Sequence, residues 1–543
     1  MSIIEIQGSE QSLVDPTLAD AGLPPAVGVQ SYQIFRASKA IPEITDRKGW
    51  TYHHHVDMAC WRGWLYVGWN SCERDEDVWP SRELYSTSID GVHWTDPVEL
   101  FPQGISTALR MYFFLAPNGR MLAIAGLRTS TDDIEENKKA GLVVREIRKD
   151  HTLGDVLLLQ QSGSSTANLP EYQISTDEEF VNACRCVLAN RIFLEQQDRG
   201  RLLGERRMKW HDASAWPGGQ VPGDSEKWVC GKAFSFFTQP DSTRVGLCKM
   251  GYVTTSTDDG EHWSMPIIPP SLVTGKAKVW SQQTSDGRYA LVYNPSRKNR
   301  YPLIIVTSDD GRHFCNMRIV QGELPVQRYP GKFRSIGPQY VRGISEWSND
   351  GSRSDNVMWL VYSMSKEDIW VSRVPLPLKA DERRERIEGF DDWNLYVPKW
   401  ASAQINGGEM RLENRDPYDY VRAARVFRES KRVKVSFELE SNGHLEIELL
   451  PKFGSARPVT IVNPGDGRIE IDADAERGVY SMWLDGEKTM TDCQFDQPVD
   501  ALHRISFRTG AYRNVGGANP VPIDSDRPIE PQFARVRGFR LRV

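Results

Sequence analysis

One short turn motif occurs three times in this chain and constrains its fold more than any other feature. The copies span Thr255–Trp263, Thr307–Phe314 and Thr87–Trp94, and each follows a β-rich run and ends in an aromatic residue three positions after a glycine. An aspartate side chain in such a turn accepts backbone N–H groups, glycine supplies an unusual backbone angle, and the aromatic ring anchors the loop. In the third copy Ile89 stands where the others have aspartate, so this copy is read as degraded. Repetition of one unit after similar strands predicts a β-propeller.

Short strands broken by Gly, Asp, Asn and Pro run from about residue 30 to residue 378. Strand Tyr32–Arg36 is expected to pair with the last blade and close the ring, which removes exposed sheet edges. The stretch between 145 and 230 is long enough for one more blade, so six and seven blades are both open. Six units are read directly: His54–Ser88, Met111–Arg145, Phe180–Leu203, Lys232–Ser256, Val279–Ser308 and Gln339–Val374.

The chain of 543 residues is too long for one ordinary hydrophobic core, so at least two domains are expected. Longer, better alternated strands after residue 390 predict a second, β-sandwich domain of concanavalin-like or jelly-roll type. The predicted organisation is all-β: an N-terminal arm (1–28), a catalytic propeller (29–378), a charged linker (379–389) and the sandwich (390–543).

Composition excludes several classes of partner. The net charge of −6 is spread without a basic stripe, so no nucleic-acid partner is expected. No apolar run approaches the ~20 residues of a membrane span. The N-terminus lacks the pattern of a signal peptide, which predicts a cytoplasmic protein, or a secreted or periplasmic one if a leader has been removed. No cofactor is required; carboxylate loops could hold Ca²⁺, but no spacing demands a metal. The oligomeric state is left open.

Three consecutive histidines, His53 to His55, open the first unit. In a regular strand His53 and His55 share one face and His54 points the other way. A histidine can act as a base near neutral pH. In the second unit Arg110 and Tyr112 share a face, where the guanidinium would grip a carboxylate and the phenol would transfer a proton. The predicted catalytic residues are His54, His55, Tyr112 and Arg110, and no metal ligand is predicted.

Other polar residues recur in loops or at the openings of units. Because the inner strands of a propeller line its central channel, such residues converge although they are far apart in the sequence. The predicted partner is an oligosaccharide or polysaccharide. The predicted substrate-binding residues are Asp77, Arg82, Arg185, His211, Trp216, Arg297, Tyr301 and Lys366.

Several segments together resemble a group of β-propeller carbohydrate-active enzymes. They are Tyr52–His55, Trp61–Asn70, Asp75–Asp77, Thr87–Trp94 and Tyr362–Pro375. The chain resembles the rhamnosyl-glucuronate lyases or rhamnosidases of arabinogalactan and the propeller ulvan lyases. The resemblance implies exo cleavage at a uronic acid by β-elimination, slightly favours seven blades, and puts a catalytic histidine at His54 or His55. It also implies that the repeated turns are Asp-boxes, which lie far from the active site.

Sialidases share the Asp-box and are a more distant resemblance. Their Arg-Ile-Pro opening is echoed only loosely by Phe35–Ser38, and Arg110, Arg185 and Arg297 could form their arginine triad. No Tyr–Glu pair of the kind they use is identified. A retaining or inverting hydrolase therefore stays as an alternative, with Asp75, Asp77 and Glu83 as candidate carboxylates. A non-catalytic glycan-binding propeller is the other alternative.

Overall fold

The structure is a computed structural model that describes residues 3–76, 78–103, 106–127, 141–161, 168–196, 233–275, 277–331, 334–510 and 526–543. The strands of its N-terminal part are β1 (Glu5–Ile6), β2 (Gln30–Phe35), β3 (Tyr52–Trp61), β4 (Trp64–Cys72), β5 (Ser81–Ser88), β6 (Val98–Phe101), β7 (Ser106–Leu115), β8 (Met121–Leu127), β9 (Gly141–Ile147), β10 (Leu157–Gln161), β11 (Ser235–Thr238), β12 (Arg244–Leu247), β13 (Val253–Ser256), β14 (Trp280–Gln283), β15 (Tyr289–Tyr293), β16 (Leu303–Ser308), β17 (His313–Gln321), β18 (Pro338–Gly343), β19 (Val357–Met364) and β20 (Asp368–Pro375).

The C-terminal part is also built of strands. They are β21 (Arg386–Glu388), β22 (Asn394–Val397), β23 (Ala401–Asn406), β24 (Glu409–Asn414), β25 (Arg422–Ser430), β26 (Arg432–Asn442), β27 (Glu446–Leu450), β28 (Val459–Val462), β29 (Gly467–Asp474), β30 (Val479–Leu484), β31 (Glu487–Gln494), β32 (Leu502–Arg508) and β33 (Gln532–Arg542). The α-helices of the described residues are α1 (Glu10–Leu13), α2 (Glu178–Ala189) and α3 (Arg191–Gln196).

Antiparallel sheets in chain order make up a β-propeller. Three contain the consecutive quartets β3–β6, β7–β10 and β14–β17, and β11–β13 form a three-stranded sheet. A further blade, in the order β18-β19-β20-β2, forms one end of a nine-stranded sheet. Alternating apolar residues of adjacent sheets pack together, as where Ala59 and Tyr66 meet Phe113. The all-β propeller is confirmed, and the number of blades stays a prediction.

The ring closes as predicted from the sequence. Strand β2 pairs antiparallel with β20, so a strand from near the N-terminus completes the blade built from residues 338 to 375. The same strand pairs in parallel with β22, and one nine-stranded sheet therefore runs from this blade into the C-terminal part. An eight-stranded sheet faces it across the core around Trp393 and Phe507. These two sheets form the sandwich-like part of the molecule.

The three repeated turns share one hydrogen-bond pattern. In each, a serine Oγ bonds to an aspartate Oδ1 at 2.8–3.0 Å and accepts a glycine N–H at 2.8–2.9 Å. The third copy is not degraded, because Asp90 makes these bonds and Ile89 does not take part. The serine, aspartate and glycine sets are Ser88, Asp90, Gly91; Ser256, Asp258, Gly260; and Ser308, Asp310, Gly311.

One predicted strand unit is helical. Helix α2 begins after Asp177, whose side chain accepts a hydrogen bond from the Phe180 N–H at 3.1 Å. Its buried residues recur at helical spacing, and they include Phe180, Val181, Cys184 and Val187. The prediction of strands over Phe180–Leu203 is therefore wrong for the described residues of that segment. No helix in the described part of the chain is long and apolar enough to cross a membrane.

Candidate functional site

Two inner strands carry β-bulges at neighbouring positions. In β3 the pairing with β4 shifts between His54 and Asp57, and in β18 the pairing with β19 shifts between Gln339 and Arg342. His55 and Tyr340 each have φ of 55°, a left-handed conformation that is uncommon for bulky residues. A bulge re-aims a side chain, and strained non-glycine residues concentrate at functional sites. The two bulges bring these rings to a centroid distance of 5.3 Å.

The bulge also redirects the histidines. His54 and His55 have ring centroids 4.4 Å apart, and the His54 ring is 4.5 Å from the Tyr340 ring. His53 instead packs against Phe35 at 4.4 Å and bonds to the Trp50 carbonyl at 2.9 Å. The expected sharing of a face by His53 and His55 is therefore wrong, because the extra residue of the bulge breaks the strand alternation.

Positive charges surround Tyr340. The Lys278 Nζ and Arg300 Cζ atoms are each 4.9 Å from its ring centroid, and Lys249 Nζ is 5.8 Å away. Burial alone would raise the pKa of Tyr340, but the charges of Lys249, Arg300 and Arg110 outweigh it and lower the pKa to about 8. A tyrosine with such a pKa is partly ionised at neutral pH, so it is suited to act as a nucleophile or a base.

A carboxylate from the loop after β4 closes one side of the site. Glu76 accepts hydrogen bonds from His55 Nε2 at 3.4 Å and from Lys366 Nζ at 2.8 Å. Burial opposes ionisation of Glu76, but these two partners outweigh it and hold its pKa well below the usual range. Arg334 fixes the loop, because its guanidinium donates to the Lys366 and Arg74 carbonyls at 2.8 Å each.

Both histidines beside Tyr340 are neutral. Burial, followed by nearby positive charges, holds the pKa of His54 well below its ordinary value. Burial also lowers the pKa of His55 to about 3, against the opposing effect of Glu76. The His55 Nε2–H donates to Glu76, which leaves Nδ1 as an acceptor. This Nδ1 and the His54 Nε2 are buried without a hydrogen-bond partner in the described residues. Buried polar atoms usually have hydrogen-bond partners, so a bound ligand is one explanation for these two unpartnered nitrogen atoms.

An ion pair lies deeper along the same strands. Asp57 accepts the Phe113 N–H at 2.9 Å and lies 3.5 Å from the Arg342 guanidinium. Arg342 also lies over the Tyr112 ring at 5.1 Å. Burial raises the pKa of Asp57 to about 6 against the opposing charge of Arg342. This pair supports the bulged strands from below, because Asp57 and Arg342 follow His55 and Tyr340 by two residues.

The repeated turns lie far from this site. Ser88 of the third turn pairs with Leu65, which in turn pairs with Cys60. His54 pairs with Asn70, toward the other end of the same strands. Six residues of β3 separate His54 from Cys60, which corresponds to about 20 Å. The implied separation of the Asp-boxes from the active site therefore holds for the first blade.

The structure brings together five of the predicted site residues. His55 and Lys366 both bond to Glu76, and the His54 ring lies 4.4 Å from the His55 ring. The charge of Arg110 acts on both His55 and Tyr340. Tyr112 lies beneath them at the Arg342 guanidinium. Whether these residues bind substrate or take part in catalysis stays a prediction.

Four other predicted residues lie elsewhere. Arg82 is held by Asp46 at 2.6 Å and Glu99 at 2.9 Å. Tyr301 is buried and its hydroxyl donates to the Gly322 carbonyl at 2.7 Å, so it points into the protein. The placement of Arg185 on an inner strand is wrong, because it lies on the exposed face of α2 and donates to Asn182 at 3.0 Å. Arg297 is exposed on its loop. Asp77, His211 and Trp216 lie outside the described residues.

Sequence reasoning missed the central residue and most of the cations around it. Tyr340, Lys249, Lys278 and Arg300 lie on separate segments that have no motif in common. Arg300 lies in the same basic loop as Arg297 and Tyr301, which were predicted to bind substrate. Its guanidinium donates to Gln339 beside Tyr340. Among the described residues no group of three or more His, Cys, Asp or Glu side chains is arranged to hold a metal ion.

Two family models match parts of the chain. Residues 3–200 match a family described as "BT_1020-like, N-terminal beta propeller". Residues 393–468 match a family described as "Sialidase-like, CBM domain". No curated protein matches the chain.

Solved structures provide a second comparison. A structure titled "Sialidase" is 28% identical, with a TM-score of 0.85 over 99% of this chain and 54% of that chain. The present chain therefore spans about half the length of that protein. The Trypanosoma rangeli sialidase in complex with sialic acid is 8% identical, with a TM-score of 0.36 over 95% of this chain and 96% of that one. The intramolecular trans-sialidase from Ruminococcus gnavus is 11% identical, with a TM-score of 0.36 over 64% and 98%. The last two likenesses carry no weight below.

The comparisons describe a sialidase-like propeller followed by a sialidase-like CBM domain. They do not single out the rhamnosyl-glucuronate enzymes that the sequence analysis placed first. The sialidase resemblance, which the sequence analysis ranked lower, is the better supported of the two.

Proposed function

We propose that this protein is a sialidase-like glycoside hydrolase that retains anomeric configuration and uses Tyr340 as its nucleophile on an acidic sugar. The observation that carries the proposal is a buried tyrosine, aimed by a β-bulge, whose pKa neighbouring cations lower to about 8. The 28% identical structure titled "Sialidase" supports the same reaction class.

The charge around Tyr340 supports an acidic substrate. Lys278 and Arg300 both lie 4.9 Å from the ring centroid, so a carboxylate that they bind lies close to the reacting oxygen. A substrate with its carboxylate beside the anomeric carbon fits this arrangement. An ionised Asp or Glu nucleophile would repel that carboxylate, whereas Tyr340, with a pKa of about 8, is mostly neutral at pH 7 when the substrate binds.

The reaction proceeds in two displacements. In the first, the Tyr340 phenolate oxygen bonds to the anomeric carbon while the glycosidic carbon–oxygen bond breaks, and the leaving oxygen takes a proton from solvent water. In the second, a water oxygen attacks the same carbon, the bond to Tyr340 breaks and restores the phenolate, and the proton of the attacking water passes to solvent. Two inversions give net retention.

The remaining residues bind and orient. Lys278, Arg300 and Arg110 hold the carboxylate, and the charges of Lys249, Arg300 and Arg110 lower the pKa of Tyr340. The His55 Nδ1 atom accepts a hydrogen bond from a sugar hydroxyl, and the His54 Nε2 atom accepts or donates one. Glu76 orients His55 and keeps it in the tautomer that exposes Nδ1.

The test uses aryl glycosides of sialic, glucuronic and galacturonic acids, because an aryl leaving group needs little protonation. Tyr340→Phe is expected to lower kcat by at least ~10³-fold with KM little changed. Tyr66→Phe is the matched control, since it removes a phenol that lies opposite Ala59, away from His54, and it should keep most of the activity. A fluorinated substrate should trap an adduct that mass spectrometry locates on Tyr340. An adduct on another residue, or a product of inverted configuration, contradicts the proposal.

A uronate lyase is the second candidate, favoured by the neutral acceptor nitrogen at His55. In that reaction a base removes the C5 proton, the C4–oxygen bond breaks, and a C4–C5 double bond forms. A lyase product absorbs in the ultraviolet and takes up no oxygen from ¹⁸O-labelled water. A hydrolase product carries the label at the anomeric carbon and does not absorb, so one reaction mixture separates the two candidates.

A further inference from the structure

The exposed face of the eight-stranded sheet carries a row of like charges. Arg386 of β21 lies directly opposite Arg542 of β33, which in turn lies directly opposite Lys434 of β26. In the next outward-facing row, Arg540 lies between Glu388 and Ser436. Like charges directly opposite each other destabilise a sheet. A bound anion would relieve this repulsion.

The protein itself compensates only part of this charge. Lys434 pairs with Asp472 at 2.9 Å. Arg386, Arg540 and Arg542 are exposed and make no ion pair with any residue in the described part of the chain. Three guanidinium groups on adjacent strands are thus available to a ligand.

A groove of about 450 Å³ runs across this face and includes all of these residues. It crosses β21, β33, β26, β29 and β30, and strands lie about 4.8 Å apart, so it is long enough for a short oligosaccharide. Half-buried Trp483 lies opposite Glu470 in the β30 part of the groove. An aromatic face is a platform on which the C–H face of a sugar stacks.

We propose that this groove, the sheet groove, binds a carboxylated saccharide chain of the polyuronate kind. A guanidinium group binds a carboxylate through two parallel hydrogen bonds, and Arg540 and Arg542 present two such groups on one strand. Glu388, Glu470 and Asp472 line the same groove and accept hydrogen bonds from sugar hydroxyls. A polyuronate offers these carboxylates hydroxyl donors that the phosphodiester backbone of DNA lacks, which favours the saccharide as occupant. This inference does not rest on Tyr340 or on the proposed reaction.

The test measures binding of polygalacturonate to the full chain by isothermal titration calorimetry, with fully methyl-esterified polygalacturonate as the neutral comparison. The Arg540→Gln, Arg542→Gln double variant is expected to lower affinity at least ~10-fold, because it removes two charge-assisted contacts. Arg428→Gln is the matched control: this arginine is 56% exposed and lies on β25 in the other sheet. Trp483→Ala should also weaken binding, through lost stacking.

The double variant should melt no lower than the parent chain, since it relieves repulsion between neighbouring cations. It should also turn over a small aryl glycoside at the parent rate, so failure of the sheet groove and failure of the proposed reaction are distinguishable. Unchanged polygalacturonate affinity in the double variant overturns the inference. Equal affinity for the methyl-esterified chain, or equal affinity for a single-stranded DNA oligomer, overturns it as well.

Discussion

Replacing Lys249 by methionine should move the pH dependence of catalysis to higher pH. The Lys249 Nζ atom is 5.8 Å from the Tyr340 ring centroid. At that distance a unit charge is worth about 3 kcal/mol at an effective dielectric constant of 20. One pKa unit corresponds to about 1.4 kcal/mol, and water entering the vacated space reduces the effect. We therefore expect the pKa of Tyr340 to rise by roughly 1 to 2 units above its value of about 8.

The assay is the pH dependence of kcat/KM, which reports the pKa of groups in the free enzyme. If the phenolate is the attacking form, kcat/KM in the parent chain rises with pH and levels off above about pH 8. In Lys249→Met this rising limb of the pH profile should move to higher pH, and kcat/KM at pH 7 should fall about 10- to 100-fold. Lys249→Arg keeps the charge and should keep the limb in place.

A second variant reverses the sign. The charge of Glu76 raises the pKa of Tyr340, so Glu76→Gln should move the limb to lower pH. Tyrosinate absorbance titrations, taken as the difference between each variant and its Tyr340→Phe counterpart, measure the same pKa without turnover. The reasoning is refuted if Lys249→Met leaves both the limb and the absorbance titration unchanged, or if the two variants shift them in the same direction.

Three further predictions concern stability. Arg36→Met should lower the free energy of unfolding by about 3–5 kcal/mol. The change leaves the buried carboxylates of Asp526 and Asp416, which lie 2.6 and 2.8 Å from the guanidinium, without this partner. Denaturant unfolding checks this, and Arg312→Gln, which breaks an exposed pair, should cost no more than about 1 kcal/mol. Asp310→Ala should destabilise by about 1–2 kcal/mol by leaving turn N–H groups unbonded, with kcat/KM unchanged; a fall in kcat/KM would contradict it. Burial lowers the pKa of His53 to about 4, so its contribution to stability is full above pH 6.5 and is lost as pH falls toward 4. Relative to His53→Gln, the parent chain should lose up to about 1.4 kcal/mol per pH unit in that window, and a constant difference would show that His53 titrates normally.

Local sequence patterns predicted most of the propeller. The unit predicted over Met111–Arg145 coincides with β7, β8 and β9, because alternation and turn residues act over a few positions. The pairing of the early strand with the last blade was also predicted, since closure removes a sheet edge. Local reasoning failed at α2, where buried residues at helical spacing were read as strand.

The candidate site was predicted only in part. His54 and His55 were predicted because three consecutive histidines stand out in a sequence. Arg110, Tyr112 and Lys366 were predicted because polar residues at the openings and turns of units are expected to converge. Tyr340 was not found, because one tyrosine among 18 has no local mark. Its pKa depends on charges at Lys249 and on others brought close by separate blades. Nothing in the neighbouring residues encodes that proximity.

The amino-acid sequence by itself determined the elements whose causes are local: strands, repeated turns and a ring that must close. Hydrogen bonds within a turn and the alternation of a strand involve residues a few positions apart, so they can be read from the order of the chain. Only the tertiary structure decided which side chains lie together in the candidate site. Two one-residue bulges turn His55 and Tyr340 toward each other, and strands from distant segments supply the charges. Electrostatic effects depend on distance in space rather than in sequence, which is why the chemistry of the site appears only when the sheets assemble.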